Sequence, residues 1–502
     1  MLYRPNITQA KALVIGSGFG GLAAAIRLQA KGYDTTILEM RDQPGGRAYV
    51  YRQDGFTFDA GPTIITAPFL IDELFALAGK KTEDYVRIVP NHPFYRIIFA
   101  DGRHFDYTGD EIKMIEEVKK FSPTDVEGYK QFVEETERIF RRAFIDLADK
   151  PFSHLTDMIR VAPDLIRLRS FESVYKLTSR YIRDPQLRIV FSFHPLLVGG
   201  NPFQSSSIYS MIHYLERKWG VHFAIGGTGA LVQALVRLFK EMGGKIELNT
   251  KVKKVILSGR RAQGVQSEDG REWRAEIIVS NADVANTYRK MIPAEARKKW
   301  TDRRLENMRY SMGLFLIYFG TRCTYPYLAH HTIILSERYK GLLDDIFHHK
   351  ILAKDFSLYL HAPTRTDPSL APEGCECFYV LSPVPHLGGK INWEREKDRY
   401  AESILKTIEE RVCPRLRENI ITQRIFTPAD FETELDAYLG SAFQFEPILT
   451  QSAWFRPHNE SEDIKGLYFV GAGTHPGAGL PGVLSSAKVL DRLIPMPKAT
   501  PN

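Results

Sequence analysis

Gly16, Gly18 and Gly21 stand in G-x-G-x-x-G register within KALVIGSGFGGLAAAIRLQAKGYDTTILE, residues 11–39. In such a loop the first glycine permits a tight turn, the second lets the backbone approach a pyrophosphate, and the third lets helix and strand pack closely. The pattern predicts a buried strand over 12–15, a helix over 21–31 stopped by Gly32, and a second strand over 34–38. The helix would turn its free N–H groups and positive dipole end toward phosphates. Glu39, eighteen residues past Gly21, is placed to accept hydrogen bonds from ribose hydroxyls. Strand, glycine loop, helix and acid together specify a dinucleotide site. Ser17, Phe19 and Gly20 lie in its loop and Met40 lies beside its acid. This unit alone does not separate NAD from FAD.

A second strand–loop–helix, LYFVGAGTHPGAGLPGVLSSA, lies about 450 residues later, over 467–487. Leu467 to Val470 reads as a buried strand, followed by Gly471, Gly473, Gly477, Gly479 and Gly482 and a helix from near Val483. Pro481 suits the first turn of that helix. FAD calls for such a distant loop, because its isoalloxazine extends far beyond the pyrophosphate. A helix N-terminus near flavin N1 and O2 would stabilise the negative charge of the reduced ring. Gly471, Ala472, Gly473, Gly482 and Val483 are therefore candidate contacts.

These loops must be held by a chain of 502 residues, more than one core usually supports, so two or more domains are expected. Hydrophobic residues at 44 % and charged residues at 25 % are ordinary globular values. The four cysteines are too few and unevenly spaced for a disulfide framework. Cys375 and Cys377 are C-x-C in a strand-like stretch, not the C-x-x-C of zinc, and free thiols in a reducing cytosol are expected. The first nine residues lack the apolar core of a secretory signal. The longest apolar run, 312–319, falls short of the roughly 18–20 residues of a membrane span. The expectation is a protein that is soluble or bound to one membrane face. The net charge is +7, and residues 138–188 hold eleven Lys/Arg against six Asp/Glu, interleaved with Phe, Leu and Ile. That mixture fits a helix lying on an anionic membrane and equally an amphipathic helix packed on its neighbours. No nucleic-acid recognition motif is present.

The segment RDQPGGRA places Gly45, Gly46 and Arg47 directly after the second strand. Read by itself this is a solvated turn with a surface arginine. It also resembles the G-G-R segment of the amine-oxidase-like FAD family, in which the glycines admit the cofactor and the arginine faces its phosphates. The run GAGTHPGAGLPGV resembles the C-terminal signature of bacterial-type phytoene desaturases, the carotenoid-forming flavoenzymes of that superfamily. FDAGPT (58–63), LLVGGNPF (196–203), GGTGALVQAL (226–235), SNADV (280–284), LAHHT (328–332), DFSLYLHAP (355–363), APEGC (371–375) and QSAWFRPHN (451–459) extend the resemblance over nearly the whole chain.

The resemblance implies an α/β fold: a discontinuous Rossmann-like FAD-binding domain plus an α+β substrate domain with a helical, membrane-associating part. The FAD domain would comprise 1–115, 220–295 and 450–502, the helical part 116–219 and the substrate domain 296–449. It implies FAD contacts from Pro62 and Thr63 and a main-chain contact from Val252 to adenine. It implies desaturation of phytoene to a conjugated carotenoid such as lycopene, by hydride transfer from an allylic carbon to flavin N5 with proton loss. Quinone or oxygen would reoxidise FAD, and the enzyme would be cytoplasmic, at the membrane periphery. Desaturases of C30 diapophytoene and other carotenoid oxidoreductases share the flavin motifs. Amine oxidases, protoporphyrinogen oxidases and the prenyl-binding GDP-dissociation inhibitors share the fold.

A proton acceptor is not singled out. His331 and His386 are the candidates in the substrate half, and neither has triad-type or metal-type spacing. His330 and His331, adjacent on a strand, are expected to face opposite ways, so no metal site is expected. Asp59 is expected to be structural or cofactor-facing.

Overall fold

The computed structural model describes residues 10–497. The expected domain ends at 1 and 502, and the polar first nine residues, lie outside the described residues.

The N-terminal strand Lys11–Ile15 is the middle of a five-stranded parallel sheet, ordered 467–469, 277–280, 11–15, 34–38, 245–247. Its side chains alternate between two cores. Ala12 and Val14 face the helices Phe19–Lys31, Gly227–Glu241 and Leu480–Leu493. Leu13 and Ile15 face the antiparallel sheet of Val252–Ser258, Arg261–Ser267 and Glu272–Arg274. Burial on both faces explains why the strand reads as an unbroken apolar run. The helix after the glycine loop starts at Phe19, two residues earlier than the pattern predicts, with Gly18 as its cap. Gly32, at φ 98°, ends it. A Cβ on Gly21 would lie 2.0 Å from the Gly16 carbonyl oxygen, so only glycine lets this helix sit so close to the loop.

The second layer is a seven-stranded sheet ordered 420–426, 313–321, 376–384, 358–361, 331–334, 95–98, 104–107. All its pairings are antiparallel except 331–334 with 95–98. The apolar run expected to be too short for a membrane is its strand Gly313–Thr321. Phe315, Ile317 and Phe319 pack on the same core as the helix Trp393–Arg411. Leu314, Leu316 and Tyr318 point the other way, into a large cavity. Strands Tyr95–Ile98 and His104–Tyr107 belong to this sheet, although they fall within the segment 1–115 expected in the FAD domain. The parallel pairing of Arg96 with Thr332 carries them there.

Residues 111–219 are largely helical, with helices over 111–121, 126–140, 155–167, 174–178, 185–192 and 211–219. Among the described residues no helix is long and apolar enough to cross a membrane. All four cysteines are free.

The Gly21 contact sets a prediction. Gly21→Ala forces a methyl against a backbone carbonyl, and overpacking of this kind costs about 1–3 kcal/mol. The variant is expected to unfold at lower urea concentration and to purify with less bound FAD. An unchanged midpoint with full FAD would contradict the packing argument.

Candidate active site

One cavity joins the two glycine loops that sequence places so far apart. Gly16, Ser17, Gly18, Phe19 and Gly20 line it from the first loop, with Glu39, Met40, Gly45, Gly46 and Arg47 beside them. Gly471, Ala472, Gly482 and Val483 line it from the second, and Pro62, Thr63 and Val252 complete the same wall. Gly21 and Gly473 do not reach it. Gly21 packs on Gly16, as above, and a Cβ on Gly473 would strike Gln444 Oε1 at 1.9 Å. Gln444, which the sequence reading missed, stands on the wall in its place. The helix behind the second loop begins at Leu480, so Pro481, Gly482 and Val483 form its first turn against the cavity.

The chemistry of this wall fits FAD. Glu39 is buried at the end of its strand. Its Oε2 accepts hydrogen bonds from the Ser17 N–H at 2.8 Å and hydroxyl at 2.5 Å, and its Oε1 accepts from the Arg41 N–H at 2.9 Å. Those bonds fix a carboxylate with lone pairs to spare for ribose hydroxyls. Gly46, at φ 56°, has room for a Cβ only 3.3 Å from the Gly18 Cα, so the two glycines make a narrow backbone cradle. Arg47 is half-buried at the cavity wall, and its Nε and Nη2 are buried with no hydrogen-bond partner. It is not the surface arginine that the turn alone suggests. Burial pushes its pKa down, with Asp283 pulling the other way. Unpartnered buried N–H groups on a cation are costly, and a pyrophosphate supplies the acceptors they lack.

Past this cradle the cavity becomes apolar. The seven-stranded sheet contributes Leu314, Leu316, Ile333 and Leu381; the helical part contributes Ala143, Phe144, Phe193, Leu196, Ile212 and Leu215. None of these was expected as a site residue. In fully buried strands the apolar pattern does not tell which face meets the cavity.

The candidate histidines stand off the wall. His331 is fully buried behind Tyr359, whose hydroxyl is 2.6 Å from His331 Nδ1. Tyr359 itself lines the cavity and lies 3.0 Å from the Thr63 hydroxyl, which also meets Tyr379 OH at 2.9 Å. His386 caps its own turn, its Nδ1 accepting from the Gly388 N–H at 3.0 Å, and burial with Lys350 nearby pushes it down to about 4. His330 and His331 do not diverge as expected. His330 precedes the strand His331–Ile334 and escapes its pleat, so the two rings lie 4.4 Å apart. With His361, whose Nε2 is 3.0 Å from His330 Nε2, they form the one group among the described residues spaced to hold a metal. Thr366, Tyr359 and Asn91 already hydrogen-bond to these rings, so the cluster is satisfied as three neutral imidazoles. Burial holds them neutral, pushing His330 down to about 3 and His331 and His361 well below the ordinary range. Asp59 is structural. It accepts from the Thr228 and Gly229 N–H groups at the start of Gly227–Glu241, and burial raises it to about 6.

Residues 19–489 match the family described as flavin containing amine oxidoreductase. The chain belongs to that family. It is 52 % identical over 485 residues to the lycopene-forming phytoene desaturase of Pseudescherichia vulneris, covering 96 % of this chain and 99 % of the relative. The lycopene-forming phytoene desaturase of Pantoea ananas is 51 % identical over 95 % of this chain and 97 % of its own. Among solved structures, a double mutant of putrescine oxidase superposes with a TM-score of 0.65 at 15 % identity, over 96 % of this chain and 98 % of that one. At that identity the likeness is one of fold.

Two predictions follow from this flavoprotein site. Hydrogen bonds to charged groups contribute about 1.5–3 kcal/mol each. Arg47→Met is therefore expected to weaken FAD binding at least about tenfold, measured by flavin fluorescence on titration of the apoprotein. Unaltered affinity would remove Arg47 from the phosphate site. The second concerns pH. His330, His331 and His361 are neutral when folded, whereas unfolded histidines bind protons below about 6.5. The unfolded state then holds more protons on the acid side, so stability falls as pH drops through about 6.5 toward about 4. Urea midpoints measured at about pH 7.5 and pH 5 check the sign, and the triple His→Gln variant is expected to lose part of that slope.

Proposed function

We propose that this flavoenzyme desaturates phytoene stepwise to lycopene. The observation that carries the reading is the single cavity, with a dinucleotide cradle at one end and an aliphatic and aromatic wall at the other. The names of relatives at 52 % and 51 % identity supply the substrate. FAD, when bound, takes up the hydride that an allylic carbon gives up. The protein's part is placement: Arg47 and the Gly471–Val483 loop fix the cofactor. The strands carrying Leu314 and Leu381 hold an extended hydrocarbon against it and keep water away. His331 supports Tyr359 and Thr63 on the wall from behind. Quinone or oxygen is the oxidant that returns FAD to its starting state.

The helical part reads as the entrance from a lipid surface. On the helix Leu155–Arg167, Leu155, Ile159 and Ile166 share one face, and Ile159 and Ile166 are 64 % and 68 % exposed. Phe171 follows at 66 %, and Arg160, Arg167 and Arg169 are exposed around them. Apolar side chains rimmed by arginines suit an anionic bilayer. Ala143, Phe144 and Ala148, from the preceding turn, line the cavity itself, which supports passage of a lipid-dissolved substrate from this face. The protein would then be cytoplasmic and peripheral.

FAD-loaded protein mixed with phytoene-containing liposomes and a quinone is expected to develop the absorbance bands of longer polyenes. No change would overturn the desaturase reading. An Ile159→Glu/Ile166→Glu variant is expected to keep its FAD but float poorly with anionic liposomes. Equal flotation would remove this patch as the membrane face.

A further inference from the structure

Removing two hydrogens from a C–C bond leaves a proton to be placed, and the apolar wall offers few acceptors. Five carboxylates line the cavity, and four are already committed. Glu39 holds Ser17 and Arg41 N–H groups, Asp283 accepts from the Asn286 and Tyr438 N–H groups, Glu434 is paired with Arg41 and Arg424, and Asp436 with Lys290.

Glu216 differs. It lies on the helix Met211–Trp219 next to Leu215 and one turn from Ile212, so its neighbours on the wall are aliphatic. Its Oε1 accepts from Tyr95 OH at 2.7 Å. Its Oε2 has no hydrogen-bond partner, and the nearest cationic candidate is His194 Nε2 at 3.3 Å. Both Glu216 and His194 are 1 % exposed, and neither ring nitrogen of His194 is hydrogen-bonded. Its partner Tyr95 packs beside residues that support the polar part of the wall. The Tyr95 ring is 5.9 Å from that of His331, which reaches Thr63 through Tyr359.

We propose, on the desaturase reading above, that Glu216 is the proton acceptor of the desaturation, with Tyr95 and His194 as its positioning residues. One C–H bond of the substrate breaks with its electron pair, which leaves with the hydrogen to FAD. The C–H bond on the adjacent carbon then breaks. Its electron pair becomes the new π bond, and its proton forms an O–H bond at Glu216 Oε2. Glu216 carries that proton through the turnover and gives it up to water when the product leaves, while His194 Nε2, 3.3 Å away, holds the carboxyl in place.

The test uses the FAD-loaded full chain with phytoene in liposomes. Loss of a general base typically costs about 10²–10⁴-fold. Glu216→Gln is therefore expected to lower kcat at least about a hundredfold, with KM and bound FAD unchanged, and Glu216→Asp to recover part of the loss. A carboxylic C=O infrared band, sensitive to D2O, is expected when the wild type meets phytoene without an oxidant, and is expected to be missing in Glu216→Gln. Tyr95→Phe keeps the ring but removes a hydrogen bond that favours the charged carboxylate. The acid limb of its pH–rate profile is expected to move to higher pH. The other titratable and charged groups around this pair are Tyr107, Tyr129, Tyr359, His213 and Arg217; His213 Nδ1 meets Tyr107 OH and not the carboxylate, so His213→Gln is the control and should leave the limb in place. Near wild-type turnover by Glu216→Gln, persistence of the band, or an unmoved limb in Tyr95→Phe would each make the Glu216–His194 pair a structural one. If Glu216→Gln does not fold, the Tyr95→Phe limb and the wild-type band decide. Failure of the wild type itself to desaturate would sink the function, not this assignment.

Discussion

A guanidinium buried without an acceptor is the point on which the molecule turns. Arg47 sits where the first glycine loop, the G-G-R turn and the edge of the cavity meet; Asp283 acts on it only through space, and its Nε and Nη2 have no hydrogen-bond partner. Such a group is tolerable only if something anionic is brought to it. The parallel sheet supplies the rest of the requirement. Gly18 and Gly46 admit a backbone-hugging ligand, Glu39 is fixed at the strand end, and a long helix aims its first turn at the far end of the same space. The protein supplies one half of an interaction and the cofactor the other.

The two cores explain how one fold serves both a polar cofactor and a hydrocarbon. The strand Gly313–Thr321 is apolar on both faces because one face packs on the side of the helix Trp393–Arg411 and the other walls the cavity. A water-filled site would require polar side chains at Leu314 and Leu316. Among the polar groups of the wall is a hydrogen-bonded band, Thr63 with Tyr359 and Tyr379, and Glu216 is held by Tyr95. Behind that band, histidines are held neutral by burial and by one another. The wall can thus be polar at points without being charged throughout.

The dinucleotide unit was legible from sequence because its demands are local. Three glycines, a helix and an acid fall within thirty residues, and each has a steric or electrostatic task that only that residue type performs. The apolar wall was not legible, because a strand buried on both faces carries no alternation. Glu216 escaped notice for a related reason. An acid in the helix segment HYLERKW reads as one charge on a solvated face, and only tertiary packing shows that this face is closed. The strands near 95–107 were misplaced because sheet membership is set by a pairing partner more than 230 residues away. His330 and His331 failed the alternation argument because the strand begins between them.

The cradle is assembled from segments far apart in the chain. The central strand 11–15 pairs with 277–280, which lies more than 260 residues further along, and the edge strand 467–469 and the helix 480–493 lie further on again. Arg47 and the second glycine loop face the same cavity only once all of these are in place. A ligand that spans the two glycine loops ties together segments roughly 450 residues apart, so its binding stabilises their closure.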